Sequence, residues 1–221
     1  MPPPGLVSIQ VGTPSARGRE GAQDPADRTW STGFFKSPVA GPVFLGATNL
    51  DGDGQADLVN HGGADKTVCA YPADHYPDWR RELDRPDLPF GAFGENFTLQ
   101  AVTEADVCIG DTWRVGGAVV QVSQPRQPCW KLARRWGIKD LPARVIANGR
   151  TGWYFRVLNE GSVAPGQPLT LIDRPHEIWT IDRANRVMHH NHSDPDSAAE
   201  LAALPELSSS WRSTLAARLV K

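Results

Sequence analysis

The chain is poor in cysteine, with three in 221 residues, and they fall in none of the spacings that usually give cysteine a role. Cys69, Cys108 and Cys129 form no C-x-x-C pair, which excludes zinc-ribbon and thioredoxin-like sites. They are too few for a four-iron cluster, and no C-x-x-C-H run is present to attach haem. A flavin or dinucleotide fingerprint is missing, and so is the G-x-x-x-x-G-K-S/T phosphate loop. No stretch approaches the ~20 consecutive apolar residues that a membrane helix needs. The start, MPPPGLVSIQVG, has neither the basic n-region nor the apolar core of a secretion signal. Formal net charge is only −2, so no large basic surface points to nucleic acid or to an anionic membrane. These absences predict a soluble protein of a reducing compartment, the cytoplasm, whose partners are small molecules or other proteins.

What is present is turn chemistry. The chain holds 21 glycines and 19 prolines, with 40% hydrophobic and 22% charged residues, enough apolar surface for one generous domain. Short β-type runs at Leu6–Val11, Pro42–Leu45, Thr67–Tyr71, Glu95–Gln100, Thr112–Val115, Val119–Ser123, Trp153–Leu158 and Leu169–Ile172 are separated by Gly/Pro turns. The polar run SARGREGAQDPADRTW reads as a mobile loop, and PADHYPDWRRELD as a helix interrupted or bent at Pro77. Cys129–Trp136 and Leu141–Asn148 read as short helices stopped by Gly137 and Gly149. Near Asp173 the pattern changes. Ile178, Ile181 and Met188 recur at roughly helical spacing, Asp194-Pro195 opens a further helix, and Leu207, Trp211, Leu215 and Leu219 mark a last one. The expected fold is mainly β (α+β): a β-barrel with short helices over residues 1–173, then a small three-helix appendage over 174–221.

Several stretches carry chemistry. DGDGQAD, Asp51 to Asp57, offers oxygen ligands but misses the glycine and glutamate positions of a calcium-binding EF-hand loop. HGGADK, His61 to Lys66, can converge backbone N–H groups on an anion and add the Lys66 charge. GAFGENF, Gly91 to Phe97, permits close backbone approach at Gly94 and offers Glu95 and Asn96 to a heterocycle. His189, His190 and His192 have no clustered acid or cysteine to complete a metal site. Cys69 and Cys108 read as small buried hydrophobes. Cys129 differs, because QPRQPCWKLARRWG surrounds it with Arg126, Lys131, Arg134 and Arg135, and nearby positive charge favours a thiolate.

Taken in order, TNLDGDGQADLVNHGGADKTVCAYP, GAFGENFTL, VCIGDTWRVGGAVVQVSQPRQPCWKL and GRTGWYFRVLNEG, followed by the helical tail, resemble the MOSC family, in its YiiM type. The family is named for the C-terminal domain of molybdenum cofactor sulfurases. The resemblance implies a MOSC β-barrel, the molybdenum cofactor (a pyranopterin dithiolene bearing one phosphate), and detoxifying reduction of N-hydroxylated compounds such as 6-N-hydroxylaminopurine. It makes Cys129 the molybdenum ligand, with Arg126 and Lys131 beside the thiolate and the cofactor phosphate. Gly62 and Gly63 would approach the anionic or pterin portion, Glu95 and Asn96 would pair with a pterin edge, and Asp57 and His61 are the candidate proton donors. Because the chain has no electron-carrier fingerprint of its own, the expected donor is a separate flavin reductase. The tail would shape the entrance, dock that donor or form a homodimer. Two other readings use the same residues: a non-catalytic cofactor carrier, and a sulfur carrier with a persulfide on Cys129.

Overall fold

The computed structural model describes residues 2–24 and 27–219. Its strands are β1 (Gly5–Val11), β2 (Ser15–Arg17), β3 (Trp30–Thr32), β4 (Ser37–Pro38), β5 (Val43–Leu45), β6 (Val68–Pro72), β7 (Phe97–Gln100), β8 (Thr112–Val115), β9 (Ala118–Pro125), β10 (Trp153–Asn159), β11 (Gly161–Val163) and β12 (Leu169–Asp173). Its helices are α1 (Leu58–His61), α2 (Tyr76–Glu82), α3 (Trp130–Trp136), α4 (Leu141–Asn148), α5 (Ile181–His189), α6 (Pro195–Ala202) and α7 (Ser209–Leu219).

Eight strands form one curled sheet in the order β12-β8-β9-β10-β6-β7-β1-β4. The curl brings its far sides together. The Leu6 N–H donates to the Gln167 carbonyl and the Leu169 N–H to the Pro4 carbonyl, each at 2.9 Å, so β1 meets the start of β12. Closure of this kind satisfies backbone groups that an open edge would leave exposed. Alternation places Ala118, Val120 and Val122 of β9 inside, against Leu6, Ile9, Phe97 and Trp153. β6 and β7 pair in parallel, and this brings the loops that leave one end of the barrel close together.

Two local expectations are corrected. The run over 15–30 is not simply a loop: β2 and β3 pair antiparallel, Ser15 opposite Thr32, and the Arg17 guanidinium lies 4.6 Å over the Phe35 ring. Pro77 does not bend a helix but lies in the first turn of α2, where its missing N–H has no intrahelical partner to lose; a 3₁₀ turn over Ala73–His75 leads into it. The tail forms three helices. Thr180 caps α5 and Asp194 caps α6, each accepting from a backbone N–H three residues on. Ile178 lies ahead of α5 and is exposed. The tail is stitched to the barrel through Ile109 N–H to the Trp179 carbonyl, 2.9 Å, and Ile181 N–H to the Val107 carbonyl, 2.8 Å. Among the described residues no helix is long and apolar enough to cross a membrane.

Candidate functional site

At the loop end of β6, β9 and β10 lies a cleft of about 590 Å³, counting the solvent at its mouth. Cys129, Arg126, Lys131, His61, Lys66, Gly94 and Asn96 line it, so the structure brings together most of the residues that the sequence singles out. Lys36, Cys69 and Tyr154 line it as well. Among the described residues the lining contains five Lys, Arg or His side chains and no carboxylate.

Strand β9 ends at Pro125, and the segment that follows carries Arg126 into the cleft. Its backbone N–H donates to the Gly152 carbonyl at 3.0 Å, which fixes the segment to the start of β10. The guanidinium is buried, 4% exposed, and Nη2 donates to the Phe93 carbonyl at 2.6 Å. Nη1 has no partner among the described residues. Burial works against the charge, yet Cys69, Tyr154 and Cys129 together hold the pKa above its usual value. A buried guanidinium with an unmade hydrogen bond is costly, and an anionic ligand in the cleft would supply the missing acceptor.

Cys129 is the extended residue immediately ahead of α3 and is half-buried. Its carbonyl accepts from the Leu132 N–H at 3.1 Å, while the thiol stays on the cleft wall. Lys131 follows in the first turn of α3. Cys69, which the sequence presents as an inert hydrophobe, reaches the same cleft from β6. Its thiol is pushed up to about 11, first by burial. Tyr154 stands opposite Cys69 in the β10–β6 register, and burial holds its hydroxyl well above the usual tyrosine range. It is the β10–β6 pairing, which the sequence does not show, that puts Tyr154 beside Cys69. Lys36 carries no sequence signal; it forms a buried ion pair with Asp53.

Of the other expected residues, some lie outside the lining and some are already engaged. Asp57 is not in the lining; it caps α1, accepting from the Asn60 N–H at 3.0 Å, and the Asn60 bonds lower its pKa. Gly62 and Gly63 are also outside the lining. At Gly62 a Cβ would come within 2.8 Å of the Leu58 carbonyl oxygen, so glycine is needed for the tight exit from α1. Gly63 has φ 95°, a left-handed turn that glycine adopts without strain. Glu95 faces inward: it accepts from the Gly91 N–H at 2.6 Å, the Phe93 N–H at 3.1 Å and the Tyr76 hydroxyl, and so shapes the loop instead of presenting itself to a ligand. Asn96 lines the cleft, but its amide is already engaged with the Cys69 N–H, the Gln10 carbonyl and Asp53. In DGDGQAD, the Asp53 carboxylate is taken up by Lys36, the Gly12 N–H and Asn96. His61 is half-buried, and its pKa falls to about 4, mainly through burial and then through the Lys131 charge. Arg134, counted in the sequence among the cations around Cys129, is not in the lining but lies over the rings of Trp30 (5.0 Å) and Trp130 (5.6 Å).

The donor set is thus one accessible thiol, several cations and a half-satisfied guanidinium, which suits a thiolate-bound metal carried on a phosphorylated organic cofactor. Residues 57–170 match the MOSC domain, and residues 179–221 match the YiiM-like 3-alpha helix domain. The chain is 46% identical over 209 residues to the uncharacterized protein YflK of Bacillus subtilis, covering 95% of this chain and 91% of that protein. It is 38% identical over 178 residues, 79% of this chain, to a protein of Gibberella moniliformis named "Reductase", of which it spans only 32%. The crystal structure of YiiM from Geobacillus stearothermophilus superposes with a TM-score of 0.82 at 40% identity, covering 98% of this chain and all of that one. The chain belongs to the MOSC domain family and carries that family's YiiM-like three-helix domain behind the barrel.

Proposed function

We propose that this protein is a molybdenum-cofactor-dependent reductase of N-hydroxylated compounds. The observation that carries the proposal is the carboxylate-free cationic cleft in which Arg126, buried and short of one acceptor, stands beside the thiol of Cys129. MOSC domains are associated with this cofactor, and the name of the Gibberella relative supports a reductive role. Cys129 Sγ would ligate the metal; Arg126, Lys131 and Lys66 would take the phosphate. When bound, the cofactor supplies two-electron redox chemistry at molybdenum. The overall reaction is R–NHOH plus two electrons and two protons, giving R–NH2 and water.

Protons are the chain's own contribution. In the free protein His61, at about 4, is neutral at pH 7, and Asp57, with its pKa held low, is ionised and outside the cleft. Neither is a standing acid there. The Tyr154 hydroxyl keeps its proton because burial disfavours the phenolate, and it lines the cleft with Cys129. We therefore assign Tyr154 Oη, not Asp57, as the hydroxyl that hydrogen-bonds the substrate, with His61 Nδ1 or Nε2 passing protons in from solvent. Electrons would come from a separate flavin reductase.

The test is protein made in a cofactor-competent host, assayed for molybdenum, for pterin fluorescence after oxidative release, and for turnover of 6-N-hydroxylaminopurine with a chemical reductant. Metal, pterin and turnover are expected, with metal and turnover lost in Cys129→Ser and turnover alone reduced in Tyr154→Phe. Metal and pterin without turnover would make the protein a carrier. Cyanide-labile sulfur on Cys129 without metal would make it a sulfur carrier.

A further inference from the structure

The start of α7 is tied, through the Asp65 side chain, to the turn that carries Lys66 into the cleft. Asp65 and Lys66 are neighbours in a 3₁₀ turn, Ala64–Lys66, and face opposite ways. Lys66 lines the cleft and donates from Nζ to the Asn60 carbonyl at 2.7 Å, which also braces the α1 segment carrying His61. Asp65 turns away from the cleft. Its Oδ2 accepts from the backbone N–H of Ser209, the first residue of α7, at 3.1 Å, across 144 positions of sequence. Its Oδ1 accepts from Arg156 Nε at 3.0 Å and pairs with Nη2 at 2.7 Å. Its carbonyl accepts from Ser123 Oγ at 2.5 Å. Ser123 is itself tied to the tail, its carbonyl accepting from the Ser208 N–H at 2.9 Å. A carboxylate at a helix N-terminus is favoured by the unsatisfied N–H groups there.

We propose that Asp65 is a positioning residue that couples the start of α7 to the cleft, so that the tail sets how Lys66 and His61 are presented to an anionic ligand. The inference rests on the cleft being an anion site, as proposed above. Coupling is reciprocal: if the clamped loop binds an anion better, the anion must in turn steady the clamp and the first turn of α7.

Pyrophosphate serves as the probe with cofactor-free full-length protein. Wild type should bind it in titration calorimetry, and binding should slow amide exchange over residues 208–212. Asp65→Asn should weaken binding by about fivefold or more, the low end of site-to-site coupling, and abolish the slowing in the tail. The sign is diagnostic. A bare electrostatic effect runs the other way, since removing a negative charge beside Lys66 would tighten anion binding. Ser209→Pro isolates the clamp, because proline at the first helical position keeps the helix, leaves the Asp65 charge in place and removes the one N–H. It should weaken pyrophosphate binding with little change in melting temperature. Tighter or unchanged binding in both variants, with tail protection intact, would overturn the coupling and leave the anion site standing. A wild type that takes up no pyrophosphate would overturn both.

Discussion

Cys69 and Cys129 line the same cleft, yet their surroundings separate them. Cys69 is 6% exposed within β6, and burial pushes its thiol up to about 11. Cys108 is likewise buried, its thiol donating to the Glu177 carbonyl at 3.3 Å, and is raised to about 11. Cys129 stands half-exposed at the head of α3. Iodoacetamide near pH 7.5 should therefore modify Cys129 first in the folded, cofactor-free protein, as mass spectrometry of tryptic peptides would show. Preferential labelling of Cys69 or Cys108 would contradict this geometry. Arg126→Ala removes a charged donor aimed at an absent acceptor. It should cost cofactor or pyrophosphate affinity about ten- to a hundredfold, since charge-assisted bonds contribute ~1.5–3 kcal/mol, while Arg126→Lys recovers only part because lysine lacks the planar fork. Arg134→Ala should cost far less, since Arg134 does not itself line the cleft. Two half-buried histidines set an acid limit. His61 and His189 both fall to about 4, first by burial, so the unfolded chain binds more protons than the folded one between about 6.5 and 4. Their contribution to stability is full above pH 6.5 and is lost as pH falls through that window. Melting temperature should drop across it, and less so in His189→Gln. The sequence made Cys129 and Arg126 legible because a motif and a charge cluster mark them. It hid Lys36 and Tyr154, whose places depend on strand pairing, and it misled at Glu95, whose carboxylate is consumed by its own loop.

Among the elements, the β2–β3 hairpin was the least visible in advance. Each strand has three residues, too few to show alternation, and the intervening run is polar. What orders it is tertiary: Trp30 meets Trp130 at 5.0 Å between ring centres, Arg134 covers both rings and donates to the Arg28 carbonyl, and Arg17 covers Phe35. Cation–π contacts at partly exposed sites contribute ~0.5–1 kcal/mol each, so a few such contacts can hold a hairpin that has no core of its own. Arg134→Ala should release it. The expected outcome is faster tryptic cleavage within residues 17–28 with a melting temperature close to wild type; an unchanged cleavage rate would mean that the backbone pairing alone suffices. The helices α3 and α4 were readable from their ends, since Gly137 and Gly149 both sit in left-handed cap positions.

At the scale of the molecule, the sequence shows a change of texture near Asp173 and invites a cut there. β12 does end at Asp173, but the apolar core does not stop with it. Trp179, Ile181, Val187, Leu201, Leu207, Trp211 and Leu215 belong to the same buried cluster as Val107, Ile109, Val120 and Val122 of the barrel. Periodicity told which tail residues were apolar. It could not tell whether they bury against one another or against the sheet, because either partner satisfies a helical stripe equally. The pairing order of the strands was hidden for the same reason. The shared core has a consequence that can be measured. Burial of one such side chain contributes roughly 1.5–3 kcal/mol, while a whole domain of this kind is stable by only ~5–15 kcal/mol. Removing the tail deletes several of these burials and uncovers the barrel residues that they cover. The full chain should unfold in one cooperative transition, with barrel and tail tryptophans reporting the same midpoint. A fragment of residues 1–173 should show no cooperative melt, should bind a hydrophobic dye and should not bind pyrophosphate. A fragment that melts cooperatively within a few degrees of the full chain would mean that the barrel folds alone and that the tail is a true appendage.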